Sequence, residues 1–88
     1  MNSWHLKAIE LANDCEPLRP GDRVELGFCL GRNIVSEHLW VRVFARIHHG
    51  AVYFASLESD AKTIDGLTKG DQVKFKPEHV VRVRRRSW

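Results

Sequence analysis

The stretch Leu39-Trp40-Val41-Arg42-Val43-Phe44-Ala45-Arg46-Ile47 decides the fold. Its period is two. Leu39, Val41, Val43, Ala45 and Ile47 fall on one face, and Trp40, Arg42, Phe44 and Arg46 on the other. Successive side chains of a strand point to opposite sides, so the spacing predicts a strand over 38–48 with the aliphatic row turned inward. His49-Gly50 then reads as a tight turn, because glycine takes positive φ without steric cost, and Ala51 to Leu57 as the returning strand of a hairpin.

The same alternation appears on either side. Upstream, Arg23 to Leu30 places Val24, Leu26, Phe28 and Leu30 on one face and Glu25, Gly27 and Cys29 on the other, a half-buried strand. Gly31-Arg32-Asn33 breaks it, and Ile34 to Glu37 bridges to the central strand. Downstream, Glu58 to Gly66 is a polar loop anchored by Ile64 and Leu67. Asp71 to Lys76 alternates with Val73 and Phe75 inward, and Pro77-Glu78-His79 reads as a turn or a single helical turn. Val80 to Arg84 is the last strand, and the remaining residues fray as a basic tail.

A short internal echo ties two of these strands together. Leu18-Arg19-Pro20-Gly21-Asp22-Arg23-Val24-Glu25-Leu26 and Leu67-Thr68-Lys69-Gly70-Asp71-Gln72-Val73-Lys74-Phe75 share L-x-x-G-D-x-V-x-[LF]. The pattern has a local cause: the leucine plugs the edge of the core, Gly-Asp turns the chain into a strand, and the two apolar residues that follow face inward.

Residues 3–13 have a different period. Trp4, Ala8, Leu11 and Ala12 share a helical stripe with Ile9 beside it, Asn2 or Ser3 can cap it, and Asn13-Asp14 with Pro17 and Pro20 ends it. The expected fold is therefore mainly β with one short N-terminal helix. It is a single domain over 1–88: helix at 3–13, a small SH3-like five-stranded barrel or rolled antiparallel sheet over 21–84, and a basic tail at 85–88. Closing a sheet this small removes its edges. An OB-like barrel, or an open antiparallel sheet with one helix, is the alternative.

At 88 residues, 43% hydrophobic and 28% charged, the chain suits one modest core. No stretch reaches the ~18 apolar residues of a membrane span. Met1-Asn2-Ser3-Trp4-His5 lacks the basic and apolar regions of a secretion signal, so a cytoplasmic setting without membrane partners is expected. Cys15 and Cys29 form no C-x-x-C pair and read as free thiols. His5, His38, His48, His49 and His79 lack metal-ligand spacing. There is no G-x-S-x-G, G-x-G-x-x-G or P-loop. No metal, no cofactor and no enzymatic activity are expected.

Two surfaces carry the functional expectation. On the outward side of the central strand Trp40, Arg42, Phe44 and Arg46 alternate aromatic and cationic. Either the N-terminal helix covers these aromatics, which the packing needs of Trp4 and Leu11 favour, or they form an exposed stripe. The C-terminal end gathers positive charge: Lys69, Lys74, Lys76, Arg82, Arg84, Arg85 and Arg86 stand against Asp71 and Glu78. Arg82 and Arg84 share a strand face, and a basic ribbon with Lys74 and Lys76 forms if the last two strands pair. With Trp88 as an aromatic anchor, guanidinium donors of this kind suit phosphates or carboxylates.

The stretch from Leu18 to Val83 resembles an uncharacterised bacterial domain family. Its members carry L-x-x-G-D-x-V, then E-x-[LMF]-W-V-x-V, a hairpin, and G-L-x-x-G-D-x-V-x-[FL]-x-x-x-[HD]-[IV]. Here these read Leu18 to Val24, Glu37-His38-Leu39-Trp40-Val41-Arg42-Val43, and Gly66-Leu67 to Phe75 with His79-Val80. The chain departs from the family at Leu57-Glu58-Ser59-Asp60-Ala61, where members carry L-x-N-x-P, and at His48-His49-Gly50, where they carry an acidic, glycine-rich turn. The resemblance implies the small barrel and a prokaryotic or phage setting, and no established activity.

The leading functional expectation is a non-catalytic binding module. It contacts an anionic partner, nucleic acid or an acidic protein surface, through Lys74, Lys76, Arg82, Arg84, Arg85, Arg86, Trp88, Trp40, Arg42 and Arg46. The second is a phage or mobile-element inhibitor or adaptor that docks on a host protein complex, such as a CRISPR-type defence nucleoprotein.

Overall fold

The alternating stretches become strands. A computed structural model describes residues 4–9, 17–32, 34–47 and 52–85. Six strands form one antiparallel sheet: β1 (Trp4–Leu6), β2 (Arg23–Leu30), β3 (Val35–Ile47), β4 (Val52–Leu57), β5 (Gln72–Phe75) and β6 (Val80–Arg84). A 3-10 turn, Pro77–His79, joins β5 to β6. The first five strands lie in chain order, and β6 returns to β2. β1 and β6 share one edge of β2: β6 pairs with Arg23 to Leu26, and β1 with Phe28 to Leu30. The sheet curls around its apolar face as a half-barrel. Val24, Leu26, Val41, Val43, Ala55, Val73 and Phe75 are buried there, and Leu18, Ile64 and Leu67 plug its open margins. Each large side chain so buried contributes about 1.5–3 kcal/mol. No helix among the described residues is long and apolar enough to cross a membrane.

The echoed segments fold alike to a close degree. Asp22 N–H donates to Arg19 O at 3.0 Å, and Asp71 N–H to Thr68 O at 3.0 Å. In both turns the aspartate Oδ2 accepts the N–H of the residue three before it, Arg19 or Thr68, at 2.9 Å. Gly21 and Gly70 supply the positive φ, 100° and 93°, that a turn of this type requires. Each turn then docks on the strand that pairs with the one it leads into. Gly21 N–H donates to Val43 O and Gly70 N–H to Leu57 O, both at 2.8 Å.

The N-terminal helix is not formed in the described part. Trp4–Leu6 is a strand, 7–9 is non-helical, and 10–13 lies outside the described residues, as do Cys15 and the His48-His49-Gly50 turn. Trp4 and Leu6 also share one face at period two. The open edge of β2 supplies a ladder at Trp4↔Leu30, His5↔Cys29 and Leu6↔Phe28. Trp4 packs 5.2 Å from the Phe28 ring, centroid to centroid. Non-local pairing and an aromatic contact outweigh a weak helical pattern. In the half of β2 that pairs with β1, Gly27 and Cys29 are buried along with Phe28, and the Val35 side chain packs over Gly27. That half of the strand has no solvent face.

The inward row of β3 is also shorter than its alternation. Leu39, Val41 and Val43 are buried, but Ile47 is 40% exposed. A β-bulge is the cause. Val43 is in register with Ala55 and Ala45 with Phe54, so Phe44 is an extra residue without a partner on β4. One inserted residue flips the faces beyond it, sending Ala45 and Ile47 outward and Arg46 into register with the buried Tyr53.

Candidate anion-binding face

The outer face of β6, β2 and β3 gathers arginines by register. Arg23 is directly opposite Arg84 on one side and Arg42 on the other. Neighbouring strands run about 4.7–4.9 Å apart, so three guanidinium stems stand side by side. Like charges directly opposite one another are unfavourable in a sheet, so the row is costly to the fold. Beside it runs a second row, Arg82, Glu25 and Trp40.

Neighbours hold these side chains. Glu58, just past β4, places Oε1 2.6 Å from Arg23 Nε and 3.8 Å from Arg42 Nε. That oxygen is buried and receives no hydrogen bond of good geometry despite the ion pairing. The proximity is electrostatic, and the carboxylate sits between two guanidiniums without saturating either. Arg82 lies 3.6 Å from Glu25. The Arg84 guanidinium carbon lies 5.9 Å from the Trp40 ring centroid, so the half-buried indole orients Arg84. Arg85 does not belong to a free tail. Its Nη1 donates to Pro17 O at 3.2 Å and to Asp22 Oδ2 at 3.3 Å, fastening the end of β6 to the first turn.

These residues surround two adjoining concavities. The larger, about 680 Å³, is lined by Arg23, Arg42, Arg84, Arg85 and Phe44, with the Pro20-Gly21 turn at its margin. The smaller, about 320 Å³, is lined by Arg23, Trp40, Glu58 and Arg84. Phe44, the unpaired residue of the bulge, is 45% exposed, and its ring centroid lies 6.4 Å from that of Phe54. The described N-terminal residues do not cover it.

The site expected from the sequence is thus partly assembled. Arg42, Arg82, Arg84, Arg85 and Trp40 share this region. Arg46 does not, because the bulge moves it to the opposite face. The ribbon with Lys74 and Lys76 is not made: β5 pairs with β4 and β6 with β2. Lys74 is opposite Phe54, and Lys76 precedes the 3-10 turn. Arg86 and Trp88 lie outside the described residues. Arg23, at the centre of the row, escaped the sequence reading. Alternation with Val24 assigns it to the outer face, but only the return of β6 to β2 reveals its neighbours.

Two titratable groups act elsewhere, as structural ties. Glu37 accepts N–H donors of Lys62 at 2.8 Å and Thr63 at 2.9 Å, and the Thr63 hydroxyl at 3.0 Å, pinning the loop after β4. Burial raises its pKa, but these bonds and one from Ile64 outweigh it and hold the carboxyl below its ordinary value. His79 Nδ1 accepts the Lys76 N–H at 3.0 Å. Burial, joined by the Lys76 charge and opposed by Glu78, lowers its pKa. Compared with protein-family models, with curated proteins and with solved structures, the chain matches none.

Proposed function

We propose that the chain is a non-catalytic binding module of SH3-like barrel type, and that the outer face of β6, β2 and β3 contacts an anionic partner. Support for the barrel type comes from the meander β2 to β5, the 3-10 turn, and the return of β6 to β2. The carrying observation for function is the in-register row Arg84, Arg23 and Arg42. A row that costs the fold electrostatic energy is best accounted for by an anion that rewards it. Among the described residues one carboxylate, Glu58, stands between two of its members, and guanidinium forks suit phosphate or carboxylate oxygens.

Retention on immobilised heparin, a generic polyanion, tests this reading. The wild type is expected to bind at low salt and elute as salt rises. Arg23→Glu and Arg42→Glu should elute much earlier, because each removes a cation whose contact releases counterions from the polyanion. Glu58→Gln should elute later, because it removes the internal competitor. Equal elution of all four proteins would sink the proposal.

A further inference from the structure

We infer that the anionic partner is single-stranded nucleic acid, its phosphates on the Arg84–Arg23–Arg42 row and one base stacked on Phe44. This rests on the proposed anion-binding face and narrows its partner. Three observations lead to it.

The arginines and the exposed aromatic line the same concavity, so one ligand must satisfy both charge and a flat apolar surface. Phe44 is the residue of the β3 bulge left without a partner on β4, so ladder regularity is given up beside that concavity. A Phe held 45% exposed beside three arginines gains nothing for the core. The two aromatics also divide the work. Trp40 carries the Arg84 guanidinium on its ring, leaving Phe44 as the platform beside the row. A single strand alternates phosphates with unstacked bases and so offers both elements side by side. A duplex presents phosphates but keeps its bases stacked inside, leaving Phe44 without a counterpart. An acidic peptide offers carboxylates to the row but does not alternate them with flat rings, which leaves Phe44 without a regular counterpart.

Fluorescence polarisation at low salt distinguishes these ligands, using a labelled mixed-sequence single strand of about a dozen nucleotides, long enough for one small domain. Unlabelled competitors are the same sequence as a duplex and polyglutamate. The single strand should bind at least about tenfold tighter than either competitor. Phe44→Ala should weaken it about 5- to 150-fold, the range for losing one stacked base, while heparin retention stays unchanged. Phe44→Trp, which keeps a ring, should restore binding and controls for any packing lost with Phe54. Duplex or polyglutamate binding as tight as the single strand, or a silent Phe44→Ala, would overturn the inference and leave the anion-binding face standing. Loss of heparin retention as well as oligonucleotide binding would remove both.

Discussion

Asp22 and Asp71 occupy the same position in the two echoed turns, each accepting the N–H three residues back. Their surroundings differ. Asp22 is 4% exposed and also faces Arg85, whereas the bonds of Asp71 are at the surface and shared with the Thr68 hydroxyl. Removing a partner from a buried polar group leaves the others unsatisfied, at about 1–3 kcal/mol, whereas water replaces an exposed one. Asp22→Ala is therefore expected to cost about 2 kcal/mol and Asp71→Ala under about 1 kcal/mol, read as urea-midpoint shifts at constant slope. Equal costs would mean that Arg85 does not fasten β6. The turns themselves were legible residue by residue, because a leucine plug, a positive-φ glycine and an aspartate acceptor act within a few residues of one another. The Asp22–Arg85 pair was not, since it joins residues 63 apart in sequence.

Strand β3 shows where alternation stops informing. Its reading holds from Leu39 to Val43 and fails at the bulge, which leaves no periodic mark because Phe44 and Ala45 are as apolar as the pattern demands. Val43→Ala should cost about 2–3 kcal/mol as a buried truncation, while Ile47→Thr should stay within about 0.5 kcal/mol. Matching losses in thermal melts would place Ile47 in the core and remove the bulge. The N-terminal segment was misread for a related reason: Trp4 fits a helical stripe as well as a strand face, and the edge of β2 at Phe28 to Leu30 decides between them. The turn before β6 was legible from Pro77, and it carries a pH dependence. With the folded pKa of His79 below its ordinary 6.5, the unfolded chain takes up the proton first on acidification. The stability contributed above that pH is lost as pH falls through it toward the lower folded value. The melting-temperature advantage of the wild type over His79→Leu should therefore shrink between about pH 7.5 and about pH 5.5. An advantage that grows on acidification would contradict the neutral, accepting Nδ1.

At the scale of the whole molecule, the fold turns a positional accident of sequence into a surface. Arg23, Arg42 and Arg84 are far apart in the chain and unremarked by any short motif, yet the β6–β2–β3 pairing lines them up. The sequence made the positive C-terminal end legible. The ribbon with Lys74 and Lys76 was conditional on β5 and β6 pairing, and the return of β6 to β2 supplies Arg23 instead. Contacts of this kind depend on which edge a strand finds, which local pattern does not specify. The most direct test of the anion-binding face is a titration of the isotope-labelled protein with short-chain polyphosphate, followed through arginine side-chain Nε–Hε and backbone resonances. The account predicts the largest shifts at Arg23, Arg42 and Arg84, reversed by added salt, with Lys74 and Lys76 nearly still. Shifts centred on Lys74 and Lys76, or no shifts at low salt, would contradict it.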